Sequence, residues 1–348
     1  CYDIRTGKLE AIPGSEAFMI PRQFADKTVW SNSNCRLYDT GDQILALEWS
    51  TKMNSMGGEV LEAIQRSISI AEEKFRGLII ANSGPQFSAG ANVGLLFMLA
   101  ADQEYDELDM AIRMFQNSMM RVRHSAIPVV AAPHGLALGG GCELCLHADK
   151  VIAAAETYTG LVEAGIGVIP GGGGTKEFVL RAADEIHHGE PETITLQNRF
   201  LTIAMGKVST SAHEAFEIGI YRKGHDEISI NGERRIARAK MAAIEMSEAG
   251  YVMPVMRNDI RVAGRSVLGT LLAGINGMWR AKYATDHDVV VAKKLAYVMC
   301  GGDLSESTMV SEQYLLDLER EAFLSLCGER KSLERMQSVL TTGKPIRN

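Results

Sequence analysis

A run of glycines set between two apolar stretches constrains this chain more than any other feature: Gly135-Leu136-Ala137-Leu138-Gly139-Gly140-Gly141-Cys142-Glu143-Leu144. The apolar stretch Pro128–Ala132 before it reads as a strand, and Cys142–Ala148 at its end reads as a helix. Glycines at a strand-to-helix junction let the backbone take angles closed to other residues. They also leave the first N–H groups of the helix bare, which is a place that holds an oxyanion. Glu143 then falls on the first turn of that helix. A second carboxylate, Glu163, follows in Gly160-Leu161-Val162-Glu163-Ala164-Gly165-Ile166-Gly167, after one more strand-like run, Lys150–Ala155. Two carboxylates and an anion hole predict acid/base work on a polarised carbonyl.

Short strand-like runs (Gln43–Trp49, Gly77–Ala81, Pro128–Ala132, Lys150–Ala155) alternate with helical patterns between about residues 36 and 220. Val60, Leu61, Ile64, Ile68 and Ala71 recur at helical spacing, and so do Leu108, Ile112, Phe115, Met119 and Val122. Alternation of this kind predicts a layered α/β fold. Residues 1–35 carry Pro13, Gly14, Pro21 and the Ser31–Asn34 polar cluster without a sustained period, and read as a linker or tail. Residues 36–234 read as the α/β core and residues 235–348 as a C-terminal helical region with Glu/Arg-rich faces. Polar stretches around Ala182–Phe200 and Lys223–Asp259 interrupt the pattern and read as insertions or surface elaborations.

Composition narrows the function class. Thirty-six basic residues against 43 acidic ones give a net charge of −7, so a nucleic-acid partner is not expected. No apolar run reaches the length of a membrane span, and the first residues lack a signal pattern; the expectation is a cytoplasmic protein with no membrane partner. Six cysteines in 348 residues are too sparse for a disulfide scaffold, and the Cys142/Cys145 pair reads as buried small residues rather than a metal or redox motif. His134, His147 and the pair His187/His188 lack partners at metal-ligand spacing, so no metal is expected.

The segments Phe87-Ser88-Ala89-Gly90-Ala91-Asn92, Ala137–Leu144 and Glu163–Gly174, in this order and spacing, resemble the crotonase superfamily, specifically enoyl-CoA hydratases. That resemblance runs motif by motif over about Arg36–Tyr221. A looser one continues through Ala292–Val298, Glu312-Gln313-Tyr314, Glu319–Phe323 and Gly343–Asn348, which are similar to the hydratase half of fused 3-hydroxyacyl-CoA dehydrogenase/enoyl-CoA hydratases. It implies a ββα spiral with a C-terminal helical region, and a dehydrogenase domain upstream in the full-length chain, because Cys1–Lys8 is similar to the join between the halves. No strand followed by Gly-x-Gly-x-x-Gly lies in residues 1–50, so NAD is expected only in that upstream domain.

The resemblance also assigns roles. The N–H groups of Ala91 and Gly140 would polarise a thioester carbonyl, with Ala89, Asn92 and Gly139 beside them, and the coenzyme A adenine would meet backbone around Lys52, Met53 and Ala89. Asn92 departs from the family, where aspartate is frequent, and so drops a charge. Glu143 would activate water and Glu163 would protonate carbon-2, the reverse assignment remaining open. The implied reaction is hydration of 2-trans-enoyl-CoA to 3-hydroxyacyl-CoA in fatty-acid beta-oxidation, with coenzyme A as part of the substrate and no metal or redox cofactor. A Δ3,Δ2-enoyl-CoA isomerase and a non-catalytic acyl-CoA-binding or assembly domain are the alternatives. The family implies a homo-oligomer, a trimer or hexamer. Gly94–Leu99 reads as an acyl-pocket wall or a core helix, and Pro170–Lys176 as the turn that leads into a helix over Thr175–Ala183.

Overall fold

The computed structural model describes residues 2–9, 14–186 and 190–348; Cys1, Pro13, His187 and His188 lie outside the described residues. Seven strands form the main sheet in the order Glu227–Ser229, Lys150–Ala154, Val129–Ala131, Gly77–Ile80, Ile44–Trp49, Cys35–Asp39, Thr28–Ser31. Pairing is parallel from Glu227–Ser229 to Ile44–Trp49 and antiparallel for the last two strands. Ile44–Trp49 and Gly77–Ile80 are buried along their whole length, as parallel strands covered on both faces must be.

The two-residue period of the strands decides what covers each face. Leu45, Leu47, Leu78 and Ile80 point into a core shared with the helices Gly58–Lys74 and Tyr105–Arg123, whose buried stripes start at the Val60 and Leu108 patterns. Ile44, Ala46, Ile79 and Val130 point the other way, against Ile236, Ala239, Ala242 and Ala243 of the helix Arg235–Glu248. Small residues let that helix come close: a Cβ on Gly77 would stand 2.9 Å from Ile44 Cδ1 and 3.3 Å from Ala243 Cβ.

After each of three main-sheet strands the chain adds one segment to a second layer and then turns into a helix. Gly135–Leu138 and Thr157–Gly160 pair in parallel, and single bridges join Ser88 to Ala137 and Met56 to Ala91. Gly77–Ile80 thus leads through Ser88 to the helix Val93–Ala101; Val129–Ala131 leads through Gly135–Leu138 to the helix Gly140–His147; and Lys150–Ala154 leads through Thr157–Gly160 to the short turn Glu163–Ile166 and the helix Gly174–Glu185. The segments Gly90–Asn92, Gly139–Glu143 and Glu163 all follow second-layer strand ends, and this repetition brings them to one place.

The structure departs from the sequence expectations in three regions. Thr28–Ser31, expected in a tail, is the edge strand of the main sheet, and Met19 is buried against the same face as Ile44. The stretch around Lys223–Asp259, expected as an elaboration, contains the strand Glu227–Ser229 and the helix Arg235–Glu248, so the cover of the sheet continues past the boundary expected at residue 234. That helix escapes a hydrophobic pattern search because three of its four buried residues are alanines. Glu192–Ala204, inside the other polar stretch, is helical with Leu196, Phe200 and Ile203 buried. The later helices Gly264–Arg280, Asp286–Met299, Glu312–Cys327 and Arg330–Thr342 share the main core through Leu271, Leu295, Leu315, Phe323 and Met336. Among the described residues, no helix is long and apolar enough to cross a membrane.

Candidate active site

Two glycine conformations bring the loops together. Gly139 has φ 51° and ψ −124°, and a Cβ on it would lie 2.9 Å from Glu163 Oε1. Gly90 has φ +100°, and a Cβ there would meet Leu138 O at 2.9 Å and Gly140 N at 3.2 Å. Neither position accepts a side chain without displacing backbone or a carboxylate.

The same geometry presents two N–H donors side by side. In the bridge between Met56 and Ala91, Met56 N–H donates to Gly90 O (2.8 Å) and Met56 O accepts from Asn92 N–H (3.1 Å), so the N–H of Ala91 between them faces away from Met56. Gly140 is the first residue of its helix, and its N–H has no intrahelical acceptor. A Cβ on Gly140 would stand 3.3 Å from Ala91 N, which puts the two donors at one spot. Both residues line a cavity of about 300 Å³, together with Ala89, Asn92, Gly139, Glu143 and Glu163, and with apolar walls from Leu61, Leu96, Ile112, Phe115, Val168 and Phe323.

Of the residues expected at the site, Lys52 and Met53 do not line this cavity. Both are exposed, and Ala89, which does line it, donates its N–H to Met53 O (3.1 Å). Asn92 caps the helix Val93–Ala101, its Oδ1 accepting from Gly94 N–H (3.1 Å) and Leu95 N–H (3.3 Å), a task that needs an oxygen but no charge. From the apolar Gly94–Leu99 run, Leu95 and Leu96 reach the cavity wall. A larger cavity of about 470 Å³ lies on the far side of the Glu163 turn, but its arginines Arg335 and Arg347 are both spent on Asp288 (2.8 and 3.0 Å) and it contains neither donor.

Residues 44–245, more than half of the chain, match the family described as enoyl-CoA hydratase/isomerase. The chain belongs to the enoyl-CoA hydratase/isomerase family. Over 317 residues it is 43% identical to a Bacillus subtilis (strain 168) protein named "Probable 3-hydroxyacyl-CoA dehydrogenase", a match covering 91% of this chain and 40% of that protein. The chain thus spans about two fifths of the length of that relative. A "Probable enoyl-CoA hydratase" of the same organism is 29% identical over 197 residues, covering 54% of this chain and 68% of its own. The crystal structure of enoyl-CoA hydratase from Bacillus halodurans superposes with a TM-score of 0.59 at 18% identity, covering 88% of this chain and 100% of that one, a likeness that speaks for the fold. The crotonase-type spiral with a C-terminal helical region is therefore the fold of this chain.

Within this hydratase/isomerase domain the two carboxylates differ in their surroundings. Glu143 is buried, and its Oε1 accepts from the N–H groups of Gly172 (2.8 Å) and Gly174 (2.9 Å). Burial pushes its carboxyl up to about 7, against the pull of those two N–H groups and of Lys176. Glu163 lies well above the ordinary carboxylate range, first through burial and then through the negative charges of Glu143 and Glu319. Its Oε2 is buried without a hydrogen-bond partner among the described residues. A carboxylate held by backbone beside one with a free oxygen suits a pair that shares a water and a proton.

Sequence reasoning missed the support of Glu143. Pro170–Gly174 reads as a mere turn, yet its N–H groups hold the carboxylate, and only residues without side chains fit: a Cβ on Gly172 would be 2.5 Å from Phe115 Cδ1 and 2.7 Å from Glu143 Oε2. The signal was there, as a second glycine run entering a second helix. Behind the site His147 Nδ1 meets Glu143 O (2.7 Å), and the fully buried Lys176 Nζ donates to Glu177 (2.6 Å) and Glu312 (3.2 Å). Cys142 and Cys145 are buried and free, as small core residues. Among the described residues no group of three or more His, Cys, Asp or Glu is placed to hold a metal ion.

Proposed function

We propose that this domain is an enoyl-CoA hydratase that adds water to 2-trans-enoyl-CoA to give 3-hydroxyacyl-CoA, a step of fatty-acid beta-oxidation. The observation that carries this reading is the pair Glu143 and Glu163 in one cavity with the Ala91 and Gly140 donors. The thioester oxygen would sit on the two N–H groups, which stabilise the enolate formed when oxygen adds at carbon-3. Glu143 takes the proton of the attacking water and Glu163 delivers one to carbon-2. Water's oxygen bonds to carbon-3 as its O–H bond breaks, and the carbon–carbon π electrons move toward the thioester and then to the proton on carbon-2. An isomerase needs a single carboxylate to shuttle a proton, and the second one favours hydration.

Neither a metal nor a redox group enters this scheme; coenzyme A arrives as the substrate's handle. The name of the longer Bacillus subtilis relative supports placing the domain beside a 3-hydroxyacyl-CoA dehydrogenase, which would oxidise the product using NAD.

The test is turnover of crotonyl-CoA, followed by loss of the conjugated enoyl-thioester absorbance, against isomerisation of a 3-enoyl-CoA. Hydration should be the faster reaction. Because Glu143 must be ionised to act as base, kcat/KM should fall as pH drops through about 7, and it should fall again at higher pH as Glu163 loses the proton it must donate. Faster isomerisation would make the domain an isomerase, and no turnover of either substrate would favour a binding or assembly role.

A further inference from the structure

The helix Glu312–Cys327 of the C-terminal region brings one residue to the cavity wall and two to the groups behind it. Phe323 forms cavity wall, with its Cδ2 2.7 Å from where a Cβ on Gly171 would be. Glu312 meets Lys176 Nζ at 3.2 Å. Between them Glu319, fully buried, accepts from Gly173 N–H (2.6 Å) and from Lys176 N–H (3.1 Å). Along the glycine run the donors therefore alternate: Gly172 to Glu143, Gly173 to Glu319, Gly174 to Glu143, Lys176 to Glu319. The two carboxylates grip one helix entrance from opposite sides.

Resting on the hydratase reading above, we propose that Glu319 is a positioning residue of the site: it pins Gly173 and Lys176 so that Gly172 and Gly174 stay on Glu143, and it sets a third carboxyl group beside the two acting ones. Glu319 does not line the cavity, so it works through Glu143 and not through substrate.

Its surroundings define the electrostatics. The helix Gly140–His147 contributes Glu143 and His147, the loop and helix after Pro170 contribute Lys176 and Glu177, the Glu163–Ile166 turn contributes Glu163, and the helix Tyr105–Arg123 contributes Arg123; Glu312 and Arg320 lie on its own helix. Lys176 Nζ is engaged by Glu177 and Glu312, and Arg123 reaches the same two acids at 3.1 and 3.2 Å. The nearest uncompensated effect of Glu319 is thus on Glu163: burial and Glu143 push its own carboxyl up to about 8, so it is still protonated where Glu143 titrates near 7 and repels the Glu163 carboxylate once it ionises above that. Negative charge there makes Glu163 hold its proton more tightly, so removing it should move the alkaline limb of the pH–rate profile to lower pH and leave the acid limb, set by Glu143, in place.

The experiment is the pH dependence of kcat/KM for crotonyl-CoA in the wild type, Glu319→Gln and Glu319→Asp. Glu319→Gln has one acceptor where two are needed, and should lose about 10- to 100-fold in kcat with little change in KM, the scale of one charged hydrogen bond. Its alkaline limb should shift down by about one pH unit while its acid limb stays near wild type. Glu319→Asp keeps the charge and should keep the limbs near wild type while recovering part of the rate. A purely structural residue would lower the rate in both variants with the limbs unmoved, and that result would overturn the proposal. Carboxyl 13C titration of glutamate-labelled wild type needs no variant for its reading of charge: a Glu319 signal titrating above the ordinary carboxylate range and sharing inflections with Glu143 supports the proposal, and one titrating alone in that range overturns it. Absence of hydration in the wild type would instead count against the hydratase reading, and the carboxyl titration would still judge Glu319.

Discussion

Glu143→Gln and Glu163→Gln are each expected to slow hydration of crotonyl-CoA by about 10²–10⁴-fold, the usual worth of one positioned acid or base. Glutamine is the informative replacement at 143, because its carbonyl oxygen can keep accepting from Gly172 and Gly174 while the group that moves protons is lost. At 163 the change removes the free, buried Oε2. Since both groups act on one water, the double variant should be little worse than the poorer single one, as residues working as a unit are not additive. Circular dichroism on all four proteins separates a chemical defect from a folding one. An isomerase would tolerate one of the two changes, and full activity in Glu143→Gln would sink the two-carboxylate mechanism.

Gly140→Pro is expected to cost about 10²–10³ in kcat, the loss of one oxyanion donor, or roughly 2.7–4 kcal/mol of barrier. The position is favourable for the test. Gly140 is the first helical residue, where proline's fixed φ and missing N–H are compatible with a helix. Its Cβ would press on the ring edge of Phe115 (2.6 Å to Cζ) and on Met56 Cε (2.9 Å), so Gly140→Ala is the control that carries the same crowding with the N–H kept. The gap in rate between the alanine and proline variants isolates the donor. Equal rates in two folded variants would show that Gly140 N–H does not meet the thioester.

Much of this was legible in the chain because it is local. The stripe Val60 to Ala71 lies in a helix over Gly58–Lys74, and the strand-like runs at Gln43–Trp49 and Lys150–Ala155 appear within a residue or two of their ends. The loops that carry Ala91, Gly140, Glu143 and Glu163 stand at the ends of consecutive spiral turns, so order along the chain carries over to nearness in space. What stayed hidden is non-local or chemically plain. Arg235–Glu248 covers a sheet face with alanines, which no hydrophobic pattern marks. Thr28–Ser31 is an edge strand with one side open, and its polar residues look like a linker. Glu319 sits in a helix face rich in charge, and only the fold reveals that it turns inward to Gly173, 146 residues away in the chain. Lys52 and Met53, expected from motif position to meet the coenzyme A adenine through backbone, stand exposed outside this cavity, with Met53 O accepting from Ala89 N–H.

The central claim, that two carboxylates deliver water across a conjugated thioester, is tested most directly by turnover in 18O-enriched water with deuterium in the solvent. Crotonyl-CoA should yield 3-hydroxybutyryl-CoA carrying solvent oxygen at carbon-3 and one solvent hydrogen at carbon-2, with both labels lost in step when Glu143→Gln or Glu163→Gln replaces the wild type. Double-bond migration with no oxygen incorporated would contradict it.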